Sequence, residues 1–196
     1  YYFVDKTSFI HELEIYKIPV FLRPRRFGKS LWCSILECYY DINRKERFQE
    51  LFGQTDIGAN PTPHQNSHLV LRFDFSKILV RDNLSDIETS FDSICHSALK
   101  LFAARNKVFA DFTALLQAES SASSALEQIL ALAQQEDCPS LCLLIDEYDN
   151  FTNQLLTTHQ DHLYGEITTG DSFLRAFFKT IKAGVGEGSV GRVFIT

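Results

Sequence analysis

Apolar residues follow two different spacings along the chain, one typical of strands and the other typical of helices. Strands are predicted where apolar residues are consecutive or alternate with polar ones, in IPVFLR (18–23), LVLRFDFS (69–76), SLCLLIDEYDN (140–150) and GRVFIT (191–196). Helices are predicted where apolar residues recur every three or four positions, in VDKTSFIHELEIYK (4–17), SLWCSILECYYDI (30–42), most of 83–135 and DSFLRAFFKTIKAG (171–184). Glycine and proline turn signals make 48–68 an irregular connection.

Several residues mark the expected ends of these helices. Thr7 or Ser8 is placed to cap the first helix. The serine-rich run ESSASSA (119–125) divides the long helical region into two helices. Asp171 stands near the start of the last helix and Gly184 just past its end. Buried strands that alternate with helices predict an α/β fold with a mainly parallel sheet covered on both faces.

Composition narrows the class of protein. A length of 196 residues predicts a single domain spanning 1–196, and 45% apolar content with 17 Phe is enough for a sizeable core. The net charge of −6 argues against a surface that coats nucleic acid, and no apolar run is long enough to span a membrane. The five cysteines form no C-x-x-C pair, which favours buried free thiols in a reducing cytoplasm.

The ends of the sequence also carry an expectation. The chain contains no methionine, begins at Tyr1 and stops at Thr196 inside an apolar run. These features predict a piece of a longer protein, with part of the functional machinery outside it.

The stretch FLRPRRFGKSL (21–31) contains the second half of the phosphate-loop pattern G-x-x-x-x-G-K-[ST]. Gly28, Lys29 and Ser30 stand at a predicted strand-to-helix junction, where backbone N–H groups and the helix dipole favour anions. Lys29 would reach the β- and γ-phosphates, and the Ser30 hydroxyl would bind Mg²⁺. Arg23 stands where the pattern has its first glycine.

The missing glycine has a physical explanation in Pro24. A residue that precedes proline favours extended backbone, so Arg23 is predicted to end the strand without needing a positive φ. Gly28 is then the one loop position expected to take unusual angles. Because Pro24 has no N–H, the loop offers one fewer backbone donor, and we hypothesise that Arg25 or Arg26 supplies side-chain donors instead.

A second chemical element ends the strand LCLLI. Asp146 and Glu147 follow this apolar run directly, as in a Walker B strand, and the carboxyl ends of parallel strands are where ligands bind. Asp146 would hold Mg²⁺ through its water shell, and Glu147 would polarise the attacking water. The alternative is an exposed loop with two helix-capping acids. Thr196, at the end of the last strand, either senses the γ-phosphate or has no role.

The residues that carry a family resemblance span nearly the whole chain in order: YFVDKTSFI, RPRRFGKSL, FDFS, LLIDEYD and VFIT. In these motifs the chain resembles the AAA-ATPase-like family of P-loop proteins, whose members are often joined to a C-terminal nuclease-like domain. The resemblance implies ATP and Mg²⁺ as cofactors, on a P-loop αβα sandwich of the additional-strand class that is truncated after the sensor strand. It also implies that an effector domain, nuclease-like in some members, follows Thr196.

The site expected from the motifs and the resemblance has three parts. The catalytic residues are Lys29 and Glu147, and the magnesium ligands are Ser30 and Asp146. The nucleotide contacts are Arg23, Pro24, Arg25, Arg26, Phe27, Gly28, Lys29, Ser30, Leu31 and Thr196.

Other residues have weaker assignments. Asp149 could extend the magnesium shell, although a turn or cap role is favoured. Asp5 and Lys6 could line the adenine side or simply begin a helix. His64, His68, His159 and His162 have no metal-site context.

The main functional hypothesis is a module that binds ATP·Mg²⁺ and hydrolyses ATP to drive or switch an attached effector domain. The rival hypothesis is a non-catalytic scaffold in which the nucleotide stabilises one conformation. A small-molecule phosphotransferase would need an acceptor pocket, for which the sequence has no signal. Direct nucleic-acid binding would depend on Arg23, Arg25 and Arg26 alone.

Overall fold

Three parallel strands form the centre of the computed structural model, which describes residues 4–24, 26–80, 83–110, 121–157, 165 and 172–196. The strands are β1 (Leu69–Asp74), β2 (Leu141–Asp146) and β3 (Val190–Ile195), in the spatial order β1-β2-β3. The register places Asp74 opposite Asp146, and Ile145 opposite Ile195. The three carboxyl ends therefore lie side by side at one edge of the sheet, as the sequence predicted for a parallel α/β fold.

The segment 18–23 is not the buried strand that the sequence predicted. It runs beside β3. Three parallel-type hydrogen bonds join β3 to this segment and the preceding Lys17: from Val193 N–H to Lys17 O, from Ile195 N–H to Pro19 O and from Phe21 N–H to Ile195 O. Val20 forms only an isolated bridge to Ile195 and is 55% exposed. The prediction failed because, among the described residues, this segment pairs along one edge only, with β3, and side chains such as Val20 are left exposed.

Eight α-helices surround the sheet in the described part of the chain. They are α1 (Ile10–Leu13), α2 (Lys29–Tyr40), α3 (Phe48–Phe52), α4 (Asp56–Ala59), α5 (Leu84–Arg105), α6 (Ala122–Gln135), α7 (Tyr148–Thr157) and α8 (Phe173–Glu187). Short 3₁₀ turns precede α1 and α3, follow β1 and follow α5. The predicted irregular connection over 48–68 therefore contains two short helices.

The two faces of the sheet support two separate hydrophobic cores. Leu141, Leu143 and Ile145 of β2 point into a core built from α5, α6 and α8. Cys142 and Leu144 point the other way, into a core built from α1 to α4. This alternation follows from the period of two along a strand, and it confirms that both faces are covered.

Some helix ends differ from the prediction. The last helix continues past Gly184 to Glu187 and ends at Gly188, whose φ of 88° is the left-handed conformation that glycine adopts without strain. Gly184 is buried instead, and a Cβ there would lie 2.8 Å from a methyl of Leu130. Ser172 caps this helix, and its hydroxyl accepts a hydrogen bond from the Arg175 N–H at 3.2 Å. Asp171 lies outside the described residues.

The first helical segment is also capped differently from the prediction. Neither Ser8 nor Thr7 caps it. Asp5 accepts hydrogen bonds from the backbone N–H of Thr7 at 2.8 Å and of Asp56 at 2.7 Å. Asp5 therefore joins the 3₁₀ turn that precedes α1 to the start of α4, which supports the helix-start interpretation over an adenine contact.

His68 gives the stability of the fold a defined pH dependence. Burial lowers the pKa of the His68 imidazole to about 4, and its Nε2 is buried without a partner among the described residues. The unfolded chain binds a proton below about pH 6.5, whereas the folded chain binds it only near pH 4. Above about pH 6.5 this group therefore does not reduce the free energy of unfolding. As the pH drops from 6.5 toward 4, the free energy of unfolding falls by about 3 kcal/mol, because the unfolded chain binds the proton first.

We predict that His68→Gln will flatten this dependence. Urea unfolding of the two proteins between about pH 4 and pH 7 measures it, since Gln does not titrate in this range. Equal slopes in both proteins would contradict the assignment to His68.

Candidate functional site

The GKS motif forms the start of a twelve-residue helix, as the sequence predicted. Gly28 has φ 76° and ψ 20°, a left-handed conformation, and α2 begins at the next residue, Lys29. The Trp32 N–H donates to the Gly28 carbonyl at 2.9 Å, which closes the first helical turn. The first amides of α2 have no partners within the helix, so this end is suited to bind an anion.

Gly28 is not the only left-handed position in the loop. Arg26 has φ 68°, so the described residues of the turn before α2 include two left-handed positions, where the sequence predicted one. Arg25, between Pro24 and Arg26, lies outside the described residues.

The remaining predicted nucleotide contacts surround the start of α2 and face solvent. They are Arg23, Pro24, Arg26, Phe27 and Leu31. Phe27 is 68% exposed and Leu31 is 56% exposed. The Arg23 guanidinium lies 5.4 Å from the centre of the Phe21 ring. The structure does not bring these five residues against the acidic strand.

Asp146 is the central residue of the candidate site. It is the last residue of β2 and is 2% exposed. Its Oδ1 accepts hydrogen bonds from the Thr196 hydroxyl at 3.0 Å and from the Ser30 hydroxyl at 3.5 Å. Its Oδ2 accepts from the Arg72 guanidinium at 2.7 Å. Three predicted residues that are distant in sequence, Ser30, Asp146 and Thr196, therefore meet at the carboxyl ends of β2 and β3.

Thr196 organises the turn that follows β2. Its side chain is fully buried, and its Oγ1 accepts a hydrogen bond from the Glu147 N–H at 3.0 Å while it donates to Asp146. Its carbonyl accepts from the Tyr148 N–H at 2.7 Å. Thr196 thus has a defined structural role, holding the acidic turn against the end of β3.

Glu147 has a strained backbone. Its φ of 61° places it in the left-handed region, which is unfavourable for a residue with a Cβ. The hydrogen bond from its N–H to Thr196 helps to hold this conformation. The half-buried Glu147 stands between the end of β2 and the start of α7, next to Asp146.

Lys29 and Asp149 form an ion pair that joins the start of α2 to the start of α7. The Lys29 side chain is 3% exposed and that of Asp149 is 21% exposed. The second carboxylate oxygen of Asp149, Oδ1, is buried without a hydrogen-bond partner among the described residues. The sequence favoured a turn or cap role for Asp149 and did not predict its ion pair with Lys29.

Arg72 is the main site residue that the sequence analysis missed. Its guanidinium contacts Asp146, the Ser34 hydroxyl at 3.1 Å and a Glu37 oxygen at 3.3 Å. The other Glu37 oxygen accepts from Arg105 at 3.2 Å. Burial acts to lower the pKa of Arg72, but its hydrogen bond and attraction to Asp146 raise it overall. The available signal was the single cation among the alternating positions of LVLRFDFS.

The cysteines are free thiols with no role in the candidate site. All five are free, and Cys33, Cys95 and Cys142 are buried, as predicted. Burial, together with the negative charge of Asp146, raises the pKa of the Cys33 thiol to about 12. Cys33 therefore stays protonated beside the site and does not act as a nucleophile.

Other groups add little to the site. Within the described ranges, no three His, Cys, Asp or Glu side chains gather into a group that could hold a metal ion. His159 and His162 lie outside the described residues. No described helix combines the length and apolar character needed to cross a bilayer.

Comparison with known proteins identifies the family. The chain matches the AAA-ATPase-like family, whose members are described as predicted AAA-ATPases, over residues 1–196. This protein therefore belongs to the AAA-ATPase-like family, as the motifs suggested. No curated protein and no solved structure matches the chain.

We predict that Arg72→Met will lower the free energy of unfolding by about 2 kcal/mol, because it removes the charge partner of a buried carboxylate. Urea denaturation measures the change. Arg105→Gln is the matched control. It removes an exposed cation from the same network without touching Asp146, and should cost less than about 0.5 kcal/mol. Equal losses in the two variants would show that the charge of Asp146 does not depend on Arg72.

Proposed function

We propose that this protein is a P-loop module that binds ATP·Mg²⁺ and hydrolyses ATP. The observation that carries the proposal is the meeting of the GKS helix start with the acidic strand. Ser30 and Asp146, 116 residues apart in sequence, lie with Oγ and Oδ1 3.5 Å apart. Membership of a family of predicted ATPases supports the same function.

The order of the strands supports a P-loop sandwich of the additional-strand class. The segment that leads into the GKS loop pairs with β3, and β3 pairs with the acidic strand β2. One strand therefore separates the phosphate-loop segment from the acidic strand. Parallel α/β sheets bind ligands at the carboxyl ends of their strands, where Asp146 and Thr196 lie.

The phosphate groups would be bound by the loop and the start of α2. The left-handed Gly28 directs the chain into the helix, whose free amides and dipole favour the polyphosphate. Lys29, the first residue of α2, supplies the positive charge for the β- and γ-phosphates. Arg23, Pro24, Arg25, Arg26, Phe27 and Leu31 would contact the outer side of the nucleotide.

Magnesium fits the donors that the site offers. Ser30 and Asp146 present a hydroxyl and a carboxylate, oxygen ligands of the kind that Mg²⁺ prefers. Two such groups are sufficient, because Mg²⁺ commonly combines one or two protein ligands with substrate phosphates and water. When bound, the ion would neutralise charge on the β- and γ-phosphates. Ser30 would ligate it directly and Asp146 through water.

Hydrolysis would depend on Glu147 and Thr196. Glu147 directly follows Asp146 and is held by its N–H in a fixed backbone conformation, a suitable position for polarising the attacking water. The Thr196 hydroxyl bonds both Asp146 and the Glu147 backbone. The loss of the γ-phosphate would thus affect Asp146 and Glu147 through the side chain of Thr196.

The output of this cycle would be a change in an attached effector domain. The family resemblance implies such a domain outside residues 1–196, nuclease-like in some members. The five free cysteines are consistent with a cytoplasmic location.

We predict that Lys29→Ala will abolish measurable ATP binding, because it removes the positive charge at the start of α2 that the phosphates need. Calorimetric titration with ATP and Mg²⁺ measures the affinity. Lys179→Ala, which removes an exposed lysine from α8, is the matched control and should bind like the parent. Circular dichroism checks that both variants fold. Parental affinity in folded Lys29→Ala would refute the assignment of the loop.

We predict that Glu147→Gln will bind ATP with near-parental affinity and lose turnover by about 10²-fold or more, because glutamine cannot accept the proton of the attacking water. Phosphate release under single-turnover conditions with the full-length protein measures the rate. Tight binding by the parent without phosphate release over hours would favour the scaffold instead. Unchanged turnover in the variant would remove Glu147 from the catalytic role.

A further inference from the structure

We propose that Asp149 is a further residue of the phosphate site, the counter-ion that Lys29 must release when the phosphates bind. The inference rests on the proposed function. It gives Asp149 a role distinct from a magnesium ligand and from a helix cap. Asp149 would set the affinity for the nucleotide by competing for the lysine.

The ion pair is well placed for this competition. Lys29 is the first residue of α2, at the point where a bound phosphate would lie, yet its charge is already engaged by Asp149. The pair is shielded from water, with Lys29 3% exposed and Asp149 21% exposed. Screening by solvent is weak for such a pair, so the attraction between the two charges is larger than at the surface.

Asp149 is itself held in position by its backbone. It lies in the first turn of α7, and its N–H donates to the Thr196 carbonyl at 3.4 Å. Its Oδ1 has no described hydrogen-bond partner, so the contact to Lys29 is the one that compensates its charge within the described residues. The carboxylate is therefore fixed close to the lysine rather than free to turn into solvent.

The consequence for binding follows from charge. The Lys29 ammonium cannot remain fully paired with Asp149 while it neutralises a polyphosphate. The phosphates must displace the carboxylate, and the Asp149 charge repels them as well. Apparent affinity is lowered when the binding-competent arrangement is only partly populated. The same exchange separates the start of α2 from the start of α7, so nucleotide occupancy would change how these two helices are joined.

The test is Asp149→Asn, titrated calorimetrically with ATP in the presence and in the absence of Mg²⁺. Removing the carboxylate should tighten binding by about fivefold or more, because Lys29 no longer has to leave a charged partner. A gain of affinity is informative because general damage to the fold would weaken binding.

Asp74→Asn is the matched control. Asp74 lies at the end of β1, opposite Asp146 in the register, and pairs with Lys77 rather than Lys29. The Asp74→Asn substitution removes one negative charge from the same edge of the sheet. It should change ATP affinity by less than about twofold, since Asp74 does not contact Lys29. A similar gain in both variants would mean that net charge, not the Lys29 pair, sets the affinity, and would overturn the inference.

Two further results would overturn the inference. Unchanged ATP affinity in Asp149→Asn would mean that the pair does not compete with phosphate. Weaker binding, seen only with Mg²⁺ present, would place Asp149 in the magnesium shell. Asp149→Ser is a second variant for the case that the Asp149→Asn protein folds poorly. The same gain in ATP affinity is expected from it. Failure of the parent itself to bind ATP would refute the proposed function, a result distinct from all of these.

Discussion

The buried carboxylate of Asp146 is the constraint on which the rest of the site depends. A carboxylate that is 2% exposed is costly unless every oxygen has a partner and its charge is balanced. Arg72 from β1, Thr196 from the end of β3 and Ser30 from α2 meet this requirement together. One charge thus fixes the relative positions of two neighbouring strands, the end of a third and the phosphate-loop helix.

A second pair of charges completes the electrostatic arrangement. Lys29 faces Asp149 as Arg72 faces Asp146, so each of these two carboxylates has one cation. The pairs differ in what they join. Arg72 ties β1 to β2 within the sheet and is supported by Glu37. Lys29 ties two helix starts that lie next to the proposed phosphate position. The first pair is suited to a permanent scaffold, and the second to a contact that a ligand exchanges.

The sequence predicted the elements whose patterns are local. The alternation of LVLRFDFS, the apolar run before Asp146 and the helix after Lys29 depend on short-range spacing, and each appears in the structure. The conjunction of Ser30 with Asp146 could also be anticipated, because the carboxyl ends of parallel strands share one edge.

Other features depend on contacts that no local pattern records. The segment 18–23 has the composition of a buried strand, but among the described residues it pairs along one edge only, with β3, and Val20 is 55% exposed. Arg72 and Glu37, like Lys29 and Asp149, are pairs from separate elements, and their charges gave no sign of which partner each would meet. The left-handed Arg26 escaped prediction because arginine has no preference for that conformation.

The most direct test of the account is a crystal structure with a slowly hydrolysed ATP analogue and Mg²⁺. We expect the triphosphate at the start of α2, with Lys29 moved from Asp149 to the phosphates and the metal beside Ser30 and Asp146. A nucleotide bound elsewhere on the chain, or a triphosphate at this place without contact to Lys29, would contradict it.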